Sequence, residues 1–438
     1  MPDPSRPASA RRVVEAMLPA RLGVGFRFLV ASSWISNLGD GFALAAGPLL
    51  VASETRRPSL VALATLLQEL PWLAFGLLAG ALADRLSRVV MVATVDLLRA
   101  GVLGLLAVSI VTKQVDIALV LVAMFLLGTA EVFSNTASST LLPSLVGRED
   151  LALANSRLQT GFVTVYQLAG PPLGAVLFAA SRPLPFVGQA TLVAVGAFLV
   201  VRVKLPAAPD ADQRSGSAAV NPGPSTGQVR HEVAEGFRFV VRHPAVRTLV
   251  LTIFIFNITF GAAWSVLVLY SKERLHLGSV GFGLLTTAAA VGGIAGTLGY
   301  GWITRRLSLG NLMRIGLVIE TLTHLSLALT TVPAVALAIM VVFGAHAFVW
   351  STTSVTVRQR AVPQALQGRV SSVNNLGVYG GLVIGAALGG QIADHFGITA
   401  PFWFAFAGSG CFVVLIWRQL AHIAHDDDLP IRSPTASS

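Results

Sequence analysis

The sequence predicts an all-helical membrane protein of twelve transmembrane helices, arranged as two related six-helix halves. Three observations lead there. The chain is 54% apolar and only 12% charged, whereas a water-soluble domain carries about 25% charged residues, so too little charge remains to cover a folded surface in water. Its apolar residues are gathered into twelve runs of membrane-spanning length. Short motifs from the first six runs return, degenerate, at matching places in the last six, which is the kind of internal repeat found in secondary transporters.

In order along the chain, residues 1–26 form a polar, arginine-bearing tail (Arg6, Arg11, Arg12, Arg21). The first half, 27–204, holds apolar runs near 28–51, 59–82, 90–112, 116–138, 158–180 and 184–203. The second half, 244–420, holds runs near 247–270, 279–302, 311–331, 333–356, 371–393 and 399–420. About 20 residues at 1.5 Å rise cross a ~30 Å hydrocarbon core, so each run suffices for one crossing. Residues 205–230 are rich in Pro, Ala, Ser, Gly and Asp and read as a disordered linker. Residues 231–243 then place Val233, Phe237, Val240 and Val241 opposite Glu235, Arg238 and Arg242, as in a helix lying either in the membrane interface or on the protein itself. The tail 421–438 carries Asp426, Asp427 and Asp428 and reads as disordered.

Charge sets orientation and excludes several classes of function. With the N-terminus inside, only Arg56, Arg57, Lys113, Arg182, Lys272 and Arg274 lie outside, and Arg99 lies within a span. The excess of basic residues on the inner side therefore predicts cytoplasmic termini in a cell (plasma or inner) membrane. The net charge of +10 is dispersed in short clusters between apolar runs, which fits membrane topology and not a nucleic-acid surface. The single cysteine, Cys411, excludes an internal disulfide and a cysteine-rich metal centre. The first apolar run continues past about 20 residues without a small-residue cleavage site, so no signal peptide is expected. No G-x-x-x-x-G-K-[ST] loop occurs, and no covalent catalysis is visible. The chain is expected not to be an enzyme, to hold no metal and no cofactor, and to draw its energy from the proton gradient.

The stretch Gly80-Ala81-Leu82-Ala83-Asp84-Arg85-Leu86-Ser87-Arg88 closes the second run, and Gly301-Trp302-Ile303-Thr304-Arg305-Arg306-Leu307-Ser308 echoes it at the end of the eighth. The first copy resembles the loop motif between spans two and three of the major facilitator superfamily, with Ser87 in place of the usual glycine and Val89 and Val90 in place of trailing basic residues. Gly170-Pro171-Pro172-Leu173-Gly174 in span five is echoed by Gly385-Ala386-Ala387-Leu388-Gly389 in span eleven. With Ser36-Asn37-Leu38-Gly39-Asp40, Val95-Asp96-Leu97-Leu98-Arg99 and Glu235-Gly236-Phe237-Arg238, nearly the whole chain is similar to the twelve-span drug:proton antiporters that include macrolide, enterobactin and lysophospholipid exporters. That resemblance implies proton-coupled efflux of a hydrophobic or amphipathic small molecule by alternating access, with the bilayer and protons as partners and a monomer as the working unit. A lysophospholipid flippase and a nutrient-uptake symporter are the alternatives.

Asp40 is the leading candidate for proton coupling. It lies mid-span, where a bare carboxylate costs roughly 2.5–3.5 kcal/mol, and Asn37 stands one turn away on the same face. A permanently satisfied structural carboxylate is the alternative. Glu69 falls mid-span just before Pro71 and is a second candidate to line the cavity, accept a proton or attract a cationic substrate; the alternative is a carboxylate satisfied by the backbone groups that the proline frees. Asp96 and Arg99 are spaced to neutralise each other, with Glu131 a possible further partner of Arg99. Glu320 and His324 are spaced as an i,i+4 pair on span nine, with His346 on span ten, and a His–Glu pair among them relays protons or forms a satisfied contact between helices. The resemblance assigns gating to Gly80, Asp84, Arg85 and Arg88 together with Asp96 and Arg99, and an antiporter-like seal to Gly170, Pro171 and Gly174. Aromatic residues such as Phe42, Trp72, Phe75 and Trp264 are expected to line the substrate cavity or to pack helices.

Overall fold

The structure is a computed structural model, and it describes residues 20–203 and 226–422. The expected tails, apart from their inner edges, and most of the expected linker lie outside the described residues. Each expected apolar run has its helix. Spans one to six are Gly23–Glu54, Pro58–Arg85, Arg88–Val111, Ile117–Leu145, Leu151–Ala180 and Leu184–Val201. Spans seven to twelve are Pro244–Glu273, Ser279–Thr304, Leu309–Leu329, Pro333–Ala361, Gln367–Phe396 and Ala400–His422. Several run well past their apolar stretch. Span one has 32 residues, about 48 Å at 1.5 Å per residue, so it projects beyond a ~30 Å hydrocarbon core.

The helices pack into two units. One contains spans one, three, four, five and six with span two from Leu70 onward; the other contains spans seven to twelve together with Thr55–Glu69. The expected first half, 27–204, therefore differs from the packed one. The reason lies in span eleven. Gly390 has no side chain, and a Cβ there would meet the Ala62 Cβ at 2.7 Å and the Ser59 Cα at 2.9 Å. One turn later the Asp394 carboxylate accepts the Ser59 backbone N–H at 3.3 Å, a favourable charge for the start of a helix. The changeover between units falls at Glu69–Leu70, just before Pro71.

Between membrane helices, close packing replaces the hydrophobic drive that folds soluble domains, so small residues mark the tightest crossings. In the first unit, a Cβ on Gly170 would lie 2.4 Å from the Gly41 Cα, and one on Gly174 would lie 2.4 Å from the Phe42 carbonyl oxygen. In the second unit the echoing Gly385 and Gly389 stand 2.3 Å and 2.2 Å from the carbonyl oxygens of Ile258 and Ala262 by the same measure. Both copies of the repeat thus join the first span of their unit to the fifth. Around these seams sit the apolar clusters of Phe26, Val30, Val92 and Leu141 in one unit and Leu249, Phe256, Met313 and Leu317 in the other.

Two spans depart from regular α-helix. Span five widens to a π-helix over Phe162–Ala169, where the Gly170 N–H reaches back to the Val165 carbonyl. Pro171 and Pro172 have no N–H to offer the carbonyls one turn back, and the wider turn follows from that loss. Span seven is interrupted between Trp264 and Leu267; its last segment is buried and anchored by the Tyr270 hydroxyl, which donates to the Leu327 carbonyl at 2.6 Å.

The helix expected at 231–243 runs from Thr226 to Arg242. It rests on the protein through Gly236, whose missing Cβ would meet the Arg369 carbonyl oxygen at 2.6 Å, through buried Val240, and through a Glu235–Arg369 ion pair of 2.6 Å. Phe237 and Val241 of the predicted apolar face remain exposed.

Candidate functional site

In the first unit a cavity of about 410 Å³ opens between spans one, three, four, five and six. Its walls hold Ser33, Ser36, Asn37, Asn135, Ser138 and Gln159, with Asp40, Asp96 and Arg99 at its charged end. Phe162 is the one aromatic residue that borders this cavity. Two of the aromatics named from the sequence pack against other rings. Phe75 lies against Phe125 and Phe133, and Trp264 against Phe260 and Phe343.

Arg99 of span three organises the charged end. It is 7% exposed and reaches span one with both terminal nitrogens, Nη2 donating to Asp40 Oδ1 at 2.5 Å and Nη1 to Asp40 Oδ2 at 3.2 Å. A two-pronged guanidinium–carboxylate contact is the strongest charged pairing available to side chains, and a buried charge needs such a partner. Gln189 of span six, also buried, donates its Nε2 to Asp40 Oδ1 at 3.2 Å. Gly39 makes room for it: a Cβ there would sit 3.2 Å from the Gln189 Cα.

These contacts correct two sequence expectations. Asp96 does not form the direct pair with Arg99; its Oδ1 accepts the Ser134 hydroxyl of span four at 2.8 Å. Asn37 does not bond Asp40; its Nδ2 points to Ser33 Oγ at 3.5 Å. Asp96 thus finds its partner on another helix, whereas Asn37 stays on its own and turns one turn back instead of forward. Glu131 of span four acts on Arg99 electrostatically, as do Asp40 and Asp96. One cation is thus surrounded by three carboxyl groups from spans one, three and four.

The other candidates are distributed elsewhere. Glu69 stands on span two at the changeover between units and is engaged in an interaction there. Gly80 faces open space, Arg85 is exposed, and Arg88 donates Nη1 to the Thr140 carbonyl at 3.1 Å, tying span three to span four. The Asp84 side chain lies outside what the structure describes. Gly170, Pro171 and Gly174 are all buried at the crossing of spans one and five. On span nine, Glu320 turns to His346 of span ten, with Oε2 to Nε2 at 3.3 Å, and not to His324 as the spacing suggested. Gln189 and Ser134 are the site residues that the local pattern missed; each comes from a different helix than its partner, and nothing in the sequence marks the pairing.

Twelve apolar helices in a repeated six-span plan, with a polar, charge-lined cavity inside the first unit, fit a membrane transporter of the major facilitator type, a multi-pass membrane protein. The chain belongs to the transmembrane secretion effector family of that superfamily, whose model matches residues 15–431. It is 28% identical over 379 residues to the multidrug efflux pump Tap of Mycolicibacterium fortuitum, covering 84% of this chain and 88% of the pump. It is 26% identical over 378 residues to the enterobactin exporter EntS of Citrobacter koseri, covering 84% and 85% respectively. Among solved structures, a bacterial homologue of the iron transporter ferroportin in its inward-facing state superposes with a TM-score of 0.69 at 17% identity, covering 92% of this chain and 99% of that one. A bacterial homologue of the lysosomal transporter Spinster superposes with a TM-score of 0.68 at 13% identity, over 94% and 99%. At those identities the structural likeness speaks for the fold alone.

Proposed function

We propose that the protein is a proton-coupled exporter of an amphipathic small molecule, and that the Arg99 cluster is where protons and substrate compete. The observation that carries this reading is the buried Arg99 guanidinium, bonded to Asp40 and within electrostatic reach of Asp96 and Glu131, beside a polar cavity of about 410 Å³. Charge inside a membrane protein is expensive unless paired or functional. A site with more carboxyl groups than cations accommodates protons, and a cationic or hydrogen-bonding substrate can take their place. Asp40 is the natural exchange point, because any ligand that pulls on Arg99 or Gln189 also changes what Asp40 bonds. Serine and asparagine walls suit the polar end of such a substrate. The direction, outward, follows the efflux pump and the exporter that the chain is similar to. In this reading the protein works as a monomer in the inner membrane, with both termini in the cytoplasm and the proton gradient as its energy source.

The test uses purified protein in sealed vesicles carrying a pH-sensitive dye, challenged with a panel of lipophilic cations, macrolides and catecholate siderophores. A substrate-triggered collapse of an imposed pH gradient is expected from the wild type, and Asp40→Asn should abolish it while inserting normally. Wild-type coupling in Asp40→Asn would sink the assignment.

A further inference from the structure

Of the ten buried side-chain polar atoms without a hydrogen-bond partner among the described residues, five belong to three side chains on spans nine and ten: both ring nitrogens of His324, both of His346, and Nε1 of Trp350. His324 is 1% exposed and His346 6%. Gly316, one turn before Glu320, draws the two helices together, since a Cβ there would meet Trp350 Cδ1 at 2.9 Å and His346 Nδ1 at 3.4 Å. Glu320 Oε2 lies 3.3 Å from His346 Nε2, too poorly aligned for a hydrogen bond.

A purely structural contact does not account for this arrangement. Buried polar groups in folded proteins are nearly all bonded, and each one left without a partner costs about 1–3 kcal/mol. Here an imidazole faces a carboxylate at ion-pair distance while forming no bond to it, and a second imidazole waits one turn along span nine. Adding a proton to His346 turns the approach into a charged pair. The Glu320 side chain keeps 14% exposure, so it forms the edge of the cluster by which a proton can enter. The ionisable groups that act on His324 are Glu320 and His346; none from spans seven, eight or twelve, which also pack on this helix pair, does so among the described residues.

We propose that Glu320, His346 and His324 form a second proton-carrying site, in the second unit and separate from the Arg99 cluster. A hydronium ion gives its proton to an imidazole lone pair of His346 and leaves as water; the imidazolium is held by Glu320, and His324 is the next acceptor along the helix. No other bond changes. Imidazole is the side chain suited to this task between about pH 5 and 8. The proposal deepens the proton-coupled reading given above and rests on it for its role in transport.

The experiment has two parts that fail separately. Full-length protein in lipid nanodiscs is taken from about pH 8 to pH 5 with a pH indicator, and the protons taken up per molecule are counted. His346→Gln is expected to take up one proton fewer than the wild type, and Glu320→Gln to lose the same step, whereas Glu320→Asp, which keeps the carboxylate, restores it. Uptake by His346→Gln equal to that of the wild type overturns the site. In vesicles with ethidium as the transported probe, Glu320→Gln is expected to move one proton fewer per molecule exported, while Asp40→Asn moves none. Should the wild type export ethidium without moving protons, the coupling reading falls and the uptake count still decides whether the site exists. Should one glutamine variant fail to insert, the other decides the site by the same uptake count: one proton fewer than the wild type supports it and wild-type uptake overturns it.

Discussion

Replacing Arg99 by glutamine tests the centre of the site most directly. The change removes two charge-assisted contacts, at 2.5 Å and 3.2 Å, from a carboxylate whose side chain is only 20% exposed. Breaking a buried ion pair from one side typically costs 3–5 kcal/mol, most of it from the charge left behind. For a unit of about 200 residues that corresponds to a fall in melting temperature of roughly 6–20 °C, readable by tryptophan fluorescence of the detergent-purified protein. The partner is identified by a double-mutant cycle. Arg99→Gln combined with Asp40→Asn should show a coupling energy of about 1–3 kcal/mol, because the two losses are one interaction counted twice. Arg99→Gln combined with Asp96→Asn should show a smaller coupling, since Asp96 is bonded to Ser134. If the Asp96 cycle gives the larger value, the same-helix pair is the real one and the bridge between spans one and three is refuted.

Two further outcomes test the packing. Gly170→Val should cost about 1–3 kcal/mol by overpacking, because its Cβ would collide with the backbone of Gly41, whereas Gly80→Ala, which meets open space, should leave the melting temperature unchanged or slightly raised; equal effects at the two glycines would count against the seam. Tyr270→Phe deletes a buried hydroxyl donor and leaves the Leu327 carbonyl without it, so a loss of about 1–3 kcal/mol is expected, again read as a melting shift, and an unchanged melt would remove the anchor role of that segment.

Span number and position were legible because hydrophobicity along the chain is a one-dimensional signal, and a bilayer reads it in one dimension. The glycine repeat was legible for a related reason: Gly170 and Gly385 are small wherever the partner helix comes from. Partner choice was not. Arg99 has Asp96 one turn away and Asp40 two helices away, and only the rotation of span three about its axis decides which carboxylate its two prongs meet. Glu320 likewise turns from His324 to His346 because Gly316 lets span ten approach closely enough. The π-helix left a trace in Pro171-Pro172, whose missing N–H groups are visible in the sequence although the wider turn before them is not. The packing of Thr55–Glu69 left none, since Ser59, Gly390 and Asp394 are ordinary residues until the fold brings them together.

That last feature bears on how the protein can be cut and recombined. A chain of two echoing six-span halves ought to be divisible at the linker into two interchangeable modules. Here the border between packed units runs through the middle of span two, beside Pro71, and not through a loop. A first-half polypeptide made alone would carry Thr55–Glu69 without the Gly390–Asp394 surface that receives it. A chimera that exchanges first halves between relatives would need to carry the matching face of span eleven with it. The repeat is readable in the sequence, but its halves are not separate parts.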